Sequence, residues 1–351
     1  MKKSIHALFT LSVMAAGLTL SSCDSAIFDY EGDCSVHYRV PITYKMNVLD
    51  ADAFQSQVSS VTLYVYDTQG NLVLRKTENG NALKTPGYAM DVDLKPGQYS
   101  MLVWGEGTPN ATPAESFAFG DPAQITDLSA TLPLSGSDGN LYIDKELTPL
   151  FHGYASSVDF PDTYGTVTLP AIDLTKDTNT FVIALENYEG YPIVPDALSV
   201  SIESRGDNVL SWQNRPIGET PFSYRAWSRT LIGSERPESR AEGEDEGDAD
   251  GDVTGNVTGL LAELTTSRLM ADSRPMLVVH RNWDDKDILR LDLINLLMLV
   301  QGHFPYSGQE YLDRVDRYTM TFFVDADLNW YTAQGINILG WKVVPPQDVD
   351  F

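Results

Sequence analysis

The reactive chemistry of this 351-residue chain begins with its only two cysteines, Cys23 and Cys34, eleven positions apart. Thiols at that spacing could close a disulfide, supply half of a metal site, or be unrelated. Two cysteines cannot complete a tetrahedral zinc site by themselves. His37, His152, His280 and His303 are scattered and form neither H-E-x-x-H nor another paired-ligand spacing. His152 and His280 fall in strand-like stretches and read as hydrogen-bonded core or edge groups. The sequence holds no G-x-S-x-G elbow, no Walker loop and no glycine-rich dinucleotide turn. Its 49 carboxylates single out no acid–base pair. No catalytic residue, metal or cofactor is expected, and the chain reads as a non-enzyme.

The residues before Cys23 decide what happens to its sulfur. Residues 1–22 open with Lys2 and Lys3, continue through an apolar stretch over 7–20, and end on small residues. That is the pattern of a secretory signal, too short and wrongly flanked for a stable membrane span. Leu20, Ser21 and Ser22 in front of Cys23 form an ending similar to a bacterial lipobox. The likeness implies a diacylglycerol on the Cys23 sulfur and cleavage that leaves Cys23 as the first mature residue. Its thiol is then consumed, so Cys34 has no partner in the chain and reads as a small buried hydrophobe. A diacylglycerol with an amide-linked acyl chain anchors a soluble body stably, which one chain does not.

Charge narrows the partners. The formal charge of −25 becomes −27 once Lys2 and Lys3 leave with the signal. Such a balance argues against nucleic acid and against broad binding to anionic lipid headgroups. Residues 23–35 carry Asp24, Asp29, Glu31 and Asp33 and form an acidic tether, either a simple solvated leader or an export signal.

The elements behind the tether are β-strands. In VTLYVYDTQGNLVL, Val61, Leu63 and Val65 alternate toward a core while Thr62, Tyr64 and Tyr66 face the other way, with a turn near Gly70. In LKPGQYSMLVWGEG, Pro96-Gly97 turns the chain, and Tyr99, Met101 and Val103 share a face. Further strands are expected at 141–143, around Phe151, in VTLPAIDL and in NTFVIALEN, where Phe181, Ile183 and Leu185 share one side. ALSVSIES, RPMLVVHRNW and the C-terminal RYTMTFFVDADLNWYTAQGINILGWKVV complete the set. Short strands at regular spacing favour β-sandwiches over a βαβ sheet. Helix is expected only near 50–57 and over 292–301, where the apolar run is far too short to span a bilayer.

Residues 234–255 (SERPESRAEGEDEGDADGDVTG) lack the apolar content needed for order and are expected to be a disordered acidic loop. Asp248, Asp250 and Asp252 alternate, but Val253 and Gly259 stand where a calcium loop needs Gly and Glu. The six tryptophans, at 104, 212, 227, 283, 330 and 341, read as core or interdomain packing rather than a sugar-stacking platform.

Several segments together resemble the FimB-type fimbrial anchor and minor-subunit lipoprotein family of the Bacteroidota. They are DAFQSQVSSVTLYVYDTQGNLV, LKPGQYSMLVWG, LTPLFHG, LDLINLLML and, most specifically, residues 309–344. The resemblance implies an all-β fold of two tandem transthyretin-like β-sandwich domains with little helix, at 36–160 and 161–351. It also implies a lipid-anchored, surface-exposed subunit attaching a fimbria to the outer membrane, with fimbrial stalk subunits as protein partners joined by β-strand contacts. One departure is Leu339, where the family's I-x-I-N-G-W ending has asparagine.

In related stalk subunits a protease clips after a basic residue near the N-terminus. Here Lys and Arg are absent between Cys23 and Tyr38, and Arg39 and Lys45 lie in an expected first strand. The chain is therefore expected to keep its first strand and its lipid, and to join the fimbria through its C-terminal region, with KVVPPQDVDF as a candidate strand weakened by Pro345 and Pro346. An alternative from another class is a surface glycan-binding lipoprotein of a polysaccharide-uptake system.

Overall fold

The computed structural model describes residues 35–194, 196–232 and 259–343. Leu20, Ser21, Ser22 and Cys23, the acidic tether, Cys34, the acidic segment 234–255 and residues 344–351 lie outside them.

The chain is all-β, built around two hydrophobic cores. The first sheet contains β1 (Val36–Met46), β2 (Ser60–Tyr66), β3 (Leu72–Asn79), β4 (Ala89–Val92), β5 (Gly97–Glu106), β10 (Leu150–Phe160), β11 (Gly165–Thr168) and β12 (Ile172–Lys176). Its order is β11-β1-β12-β10-β5-β2-β3, and β4 also pairs with β1. The long strand β1 folds the sheet over itself. Its first half lies between parallel β11 and antiparallel β4, and its second half runs parallel to β12. The space enclosed is filled by Tyr38, Val40, Ile42 and Tyr44 from β1 and by Val61, Leu63, Val65, Met101 and Val103, the alternate residues of β2 and β5. A one-turn helix, α1 (Phe54–Gln57), adds Phe54, stacked on Tyr88.

The second core lies between two six-stranded sheets. One runs β17-β18-β13-β21-β22-β23, comprising β13 (Asn179–Asn187), β17 (Ser228–Ile232), β18 (Gly259–Thr266), β21 (Arg317–Val324), β22 (Ile336–Ile338) and β23 (Trp341–Val343). The other runs β20-β19-β14-β16-β9-β8, from β8 (Ser135–Ser137), β9 (Asn140–Ile143), β14 (Leu198–Arg205), β16 (Pro221–Arg225), β19 (Met276–Arg281) and β20 (Lys286–Asp292). Phe181, Ile183 and Leu185 of β13 face this core together, as their spacing requires. Two six-residue helices, α2 (Leu293–Met298) and α3 (Gln309–Arg314), close it. Asp292 caps α2 by accepting from the Asn295 amide. Leu293, Ile294, Leu296, Leu297 and Val300 are buried, so the apolar run is a core helix. Among the described residues no helix is long and apolar enough to cross a membrane.

One expectation needs correction. The division at residues 160 and 161 cuts through the sheets, because β11 and β12 pair with β1 in the first sheet. Conversely, β9 pairs with β16, while β7 (Ser129–Thr131) pairs with β15 (Val209–Ser211) and β6 (Ala118–Phe119). The small sheet β15-β7-β6 covers the outer side of the first sheet. It explains why Tyr64, Tyr66, Leu102 and Trp104, which alternation turns away from the first core, are also buried. The indole of Trp104 lies 5.8 Å from Phe119 and 4.7 Å from the ring of His152.

A polar junction holds the two units together. Lys176 at the end of β12 pairs with Asp316 at 2.6 Å. Arg268 makes a two-pronged bond to Asp313 and stands 3.8 Å from the fully buried Asp177. Asn214 donates to Asp177 Oδ1 at 2.7 Å, while Asp177 Oδ2 has no hydrogen-bond partner among the described residues. Burial pushes the Asp177 carboxyl up to about 7. Arg314 of α3 reaches back to the carbonyls of Lys45 and Asn47, at the end of β1.

Candidate subunit-contact surface

A sheet edge is a row of unpaired amides and carbonyls, and proteins guard such rows with charge or use them to bind a strand. The edges here differ in how they are guarded. β3 carries Arg75, Lys76 and Glu78, and β20 carries Lys286, Asp287, Arg290 and Asp292. Arg290 pairs with Glu203 and Asp287 across that edge. β17 is different. It pairs only with β18 among the described residues, and its Leu231 and Ile232 are exposed. At the other side of the same sheet, β23 pairs only with β22 among the described residues and exposes Trp341, whose indole lies parallel to His303 at 3.6 Å. β17 and β23 thus each expose large apolar side chains, and they are the two edges of the sheet that contains β13.

The β22–β23 hairpin turns at Leu339 and Gly340, with φ of 52° and 84°. Two consecutive left-handed residues define the turn that asparagine followed by glycine suits best. The asparagine expected at 339 from the resemblance therefore matches the backbone, and Leu339 occupies a conformation that L-residues with large side chains adopt at a cost.

β1 offers no comparable opening. Tyr38 and Arg39 pair on both flanks, with β11 and with β4. Tyr38 packs edge-on against Phe160 at 4.8 Å and donates its hydroxyl to the Pro161 carbonyl. Arg39 pairs with Asp91.

The outer side of the sheet containing β14 is a concave face of about 840 Å³. Val278 forms part of its floor, and Arg225, Arg229 and Arg274 share it with Glu203 and Asp287. Arg225 lies over the Tyr142 ring at 3.9 Å. Both signs of charge are present, so the face sets no simple ionic preference.

The histidines are distributed as the sequence implied. His152 is buried, its Nε2 is 2.9 Å from the Trp212 carbonyl, and burial lowers its pKa to about 4. His280 sits between Asp285 and Asp287 near the end of β19, which is paired on both sides. Among the described residues no three His, Cys, Asp or Glu side chains form a group able to hold a metal ion. The tryptophans divide: Trp104 is buried and Trp212 packs edge-on to Tyr154, but Trp283 and Trp341 are exposed, contrary to the packing role expected for them. Trp283 lies in the β19–β20 turn and Trp341 opens the edge strand β23, so neither faces the core.

Residues 30–345 match the family described as Mfa2, fimbrillin-A associated anchor proteins Mfa1 and Mfa2. A candidate polysaccharide-binding protein of Bacteroides thetaiotaomicron is similar in structure, at 25% identity and a TM-score of 0.70, over 89% of this chain and 99% of that one. A candidate adhesin of the same organism is similar at 26% identity and a TM-score of 0.69, over 90% and 99%. The fimbrial anchor protein Mfa2 of Porphyromonas gingivalis shares the fold at 15% identity and a TM-score of 0.59, over 89% and 99%. A comparison with curated proteins gives no match. The matched span takes in both cores and every strand described above, and the chain belongs to the family of fimbrillin-A associated anchor proteins Mfa1 and Mfa2.

Proposed function

We propose that this chain is the lipid-held base subunit of a fimbria. Acyl chains on Cys23 fix it in the outer membrane, facing outward. A strand from a neighbouring stalk subunit adds to an open edge of the second sandwich, coupling the anchor to fimbrial assembly and length. The family match supports a fimbrial subunit role.

The observation that carries the anchoring reading is the placement of β1. The chain enters the fold at Val36, at the end of β1 opposite Met46, and Met46 is the end near the second unit. Val36 therefore lies at the end of β1 away from the second unit, to which β17 and β23 belong. Because β1 is paired on both flanks and its alternate residues fill the first core, Arg39 is sealed into a strand. A bond in that state is a poor protease substrate, so the first strand and the lipid upstream of it stay attached.

The test replaces Cys23 with alanine in the native cell. Fimbriae are expected to shed into the medium or change in length. Fimbriae that stay firmly cell-bound at normal length would show that the anchoring role is wrong.

A further inference from the structure

The concave outer face of the sheet containing β14 carries both signs of charge, yet its acids and its bases are not equally neutralised. Alternation sets what this face shows. On β14, Val200 and Ile202 fill the second core, so Ser199, Ser201, Glu203 and Arg205 turn outward. The ladders align them across the sheet. Ser201 lies beside Arg225 of β16 and Val278 of β19, and Val278 lies beside Arg290 of β20. Glu203 lies beside Ser223 and Met276. Arg205 and Arg274 each stand two residues beyond that rung, at the same end of the face, and both line it.

Two of the three carboxylates lining the face are held within it. Arg290 makes a two-pronged pair with Glu203 and also reaches Asp287, which lies 2.8 Å from His280 Nδ1. The third, Asp144, feels the charge of the neighbouring Lys145. The arginines lack such partners. Arg225 lies over the Tyr142 ring and donates to the neutral Asn140 side chain. Arg205 donates to the Glu219 carbonyl, also neutral. Arg274 has no ion pair or hydrogen bond among the described residues. Arg229 meets Asp196 only at 3.5 Å, and that carboxylate is 86% exposed. The face therefore keeps three guanidiniums without a carboxylate partner, against Asp144 alone, on a chain whose formal charge is −25.

We propose that this face docks an acidic, extended segment of a protein partner, with Arg205, Arg274 and Arg225 receiving its carboxylates. A planar guanidinium takes a carboxylate through two parallel hydrogen bonds. The cavity of about 840 Å³ is far larger than a single small anion needs. Arg205 lies about 13 Å along β14 from Ser201, at ~3.4 Å per residue, and Arg225 is one strand across from Ser201. Side chains on one side of an extended peptide recur about every 7 Å, so carboxylates four residues apart can reach both ends. Ser201 and Ser223 between them are small and leave room for a backbone. The contact is made by side chains, and it depends neither on the lipid nor on strand addition at an edge.

The test uses the chain from residue 24 and follows a dye-labelled peptide of ten glutamates by fluorescence anisotropy, with heparin titrated in parallel. The chain as a whole repels anions, so saturable binding of the peptide requires a local site. Binding is expected at about 50 mM NaCl and is expected to weaken at least tenfold by about 300 mM, where salt screens exposed charges. Arg205→Ala with Arg274→Ala is expected to weaken it at least tenfold without lowering the thermal midpoint, because both side chains are exposed. Arg75→Ala with Lys95→Ala removes the same charge from exposed positions elsewhere and is expected to leave binding unchanged. No binding of the glutamate peptide, with or without binding of heparin, would overturn the proposal, as would equal weakening in the two double variants. So would salt-sensitive dimers of the chain in sedimentation that Arg205→Ala with Arg274→Ala abolishes, which would give the face to a second copy.

Discussion

A chain that starts at Val40, as it would after cleavage at Arg39, tests whether the first strand is a fixed part of the fold. The truncation removes Tyr38, which is fully buried, and with it about 2–3 kcal/mol of apolar burial. It also removes the edge-on contact with Phe160, worth about 0.5–1.5 kcal/mol, and the hydroxyl bond to Pro161, worth about 1 kcal/mol. β11 loses the strand it pairs with from Val36 to Arg39. The loss is at least about 4 kcal/mol, a large share of the roughly 5–15 kcal/mol that holds a domain together. Urea denaturation of the mature and truncated chains, followed by tyrosine and tryptophan fluorescence, measures it. The truncated chain is expected to unfold at a much lower midpoint or to be unfolded without denaturant, and trypsin is expected to leave the Arg39–Val40 bond of the native protein intact. A truncated chain with an unchanged midpoint would refute the reasoning, because the groove left by the strand would then be stable and open to a donor.

Asp177 sets a pH dependence. Its folded pKa of about 7 lies above the ordinary 3.8, so the folded state keeps a proton that the unfolded chain releases near pH 4. The contribution is complete below about pH 4 and is lost as pH rises past 7, at most about 4 kcal/mol; Asp177→Asn is expected to flatten this fall in midpoint between pH 5 and 8, and an unchanged slope would contradict it. Leu339→Asn is expected to raise the thermal midpoint by about 1–2 °C, since asparagine suits the left-handed backbone that leucine holds there. A lower midpoint would mean that the partly buried leucine side chain contributes more than its backbone costs.

The strands were legible because their alternation is local. β2, β5 and β13 follow directly from residues two apart, and α2 from an apolar run too short to be anything but a core helix. The division between units was not legible. It depends on β7, β9 and β15, strands of three or four residues whose partners lie far away in the chain. Alternation also gave Tyr64 and Tyr66 an outward direction correctly, but nothing nearby in sequence announced the small sheet that buries them. For the contact surface, the lack of Lys and Arg between Cys23 and Tyr38 pointed to a retained first strand, and the structure adds that this strand is paired on both flanks. The exposed edges at β17 and β23 arise from the order of strands in the sheet, which spacing along the chain does not encode.

The position of β1 also has a mechanical consequence. If a fimbria is dragged by flow while acyl chains hold the other end, tension enters the protein at Val36 and is directed along the axis of β1. Its neighbours β4, β11 and β12 lie alongside it, so the load is a shear that strains many hydrogen bonds at once instead of peeling them one by one. Resistance to such a pull is governed by the rate of forced unfolding rather than by equilibrium stability. The same strand that completes the first core would then serve as the clamp that keeps the fibre on the cell.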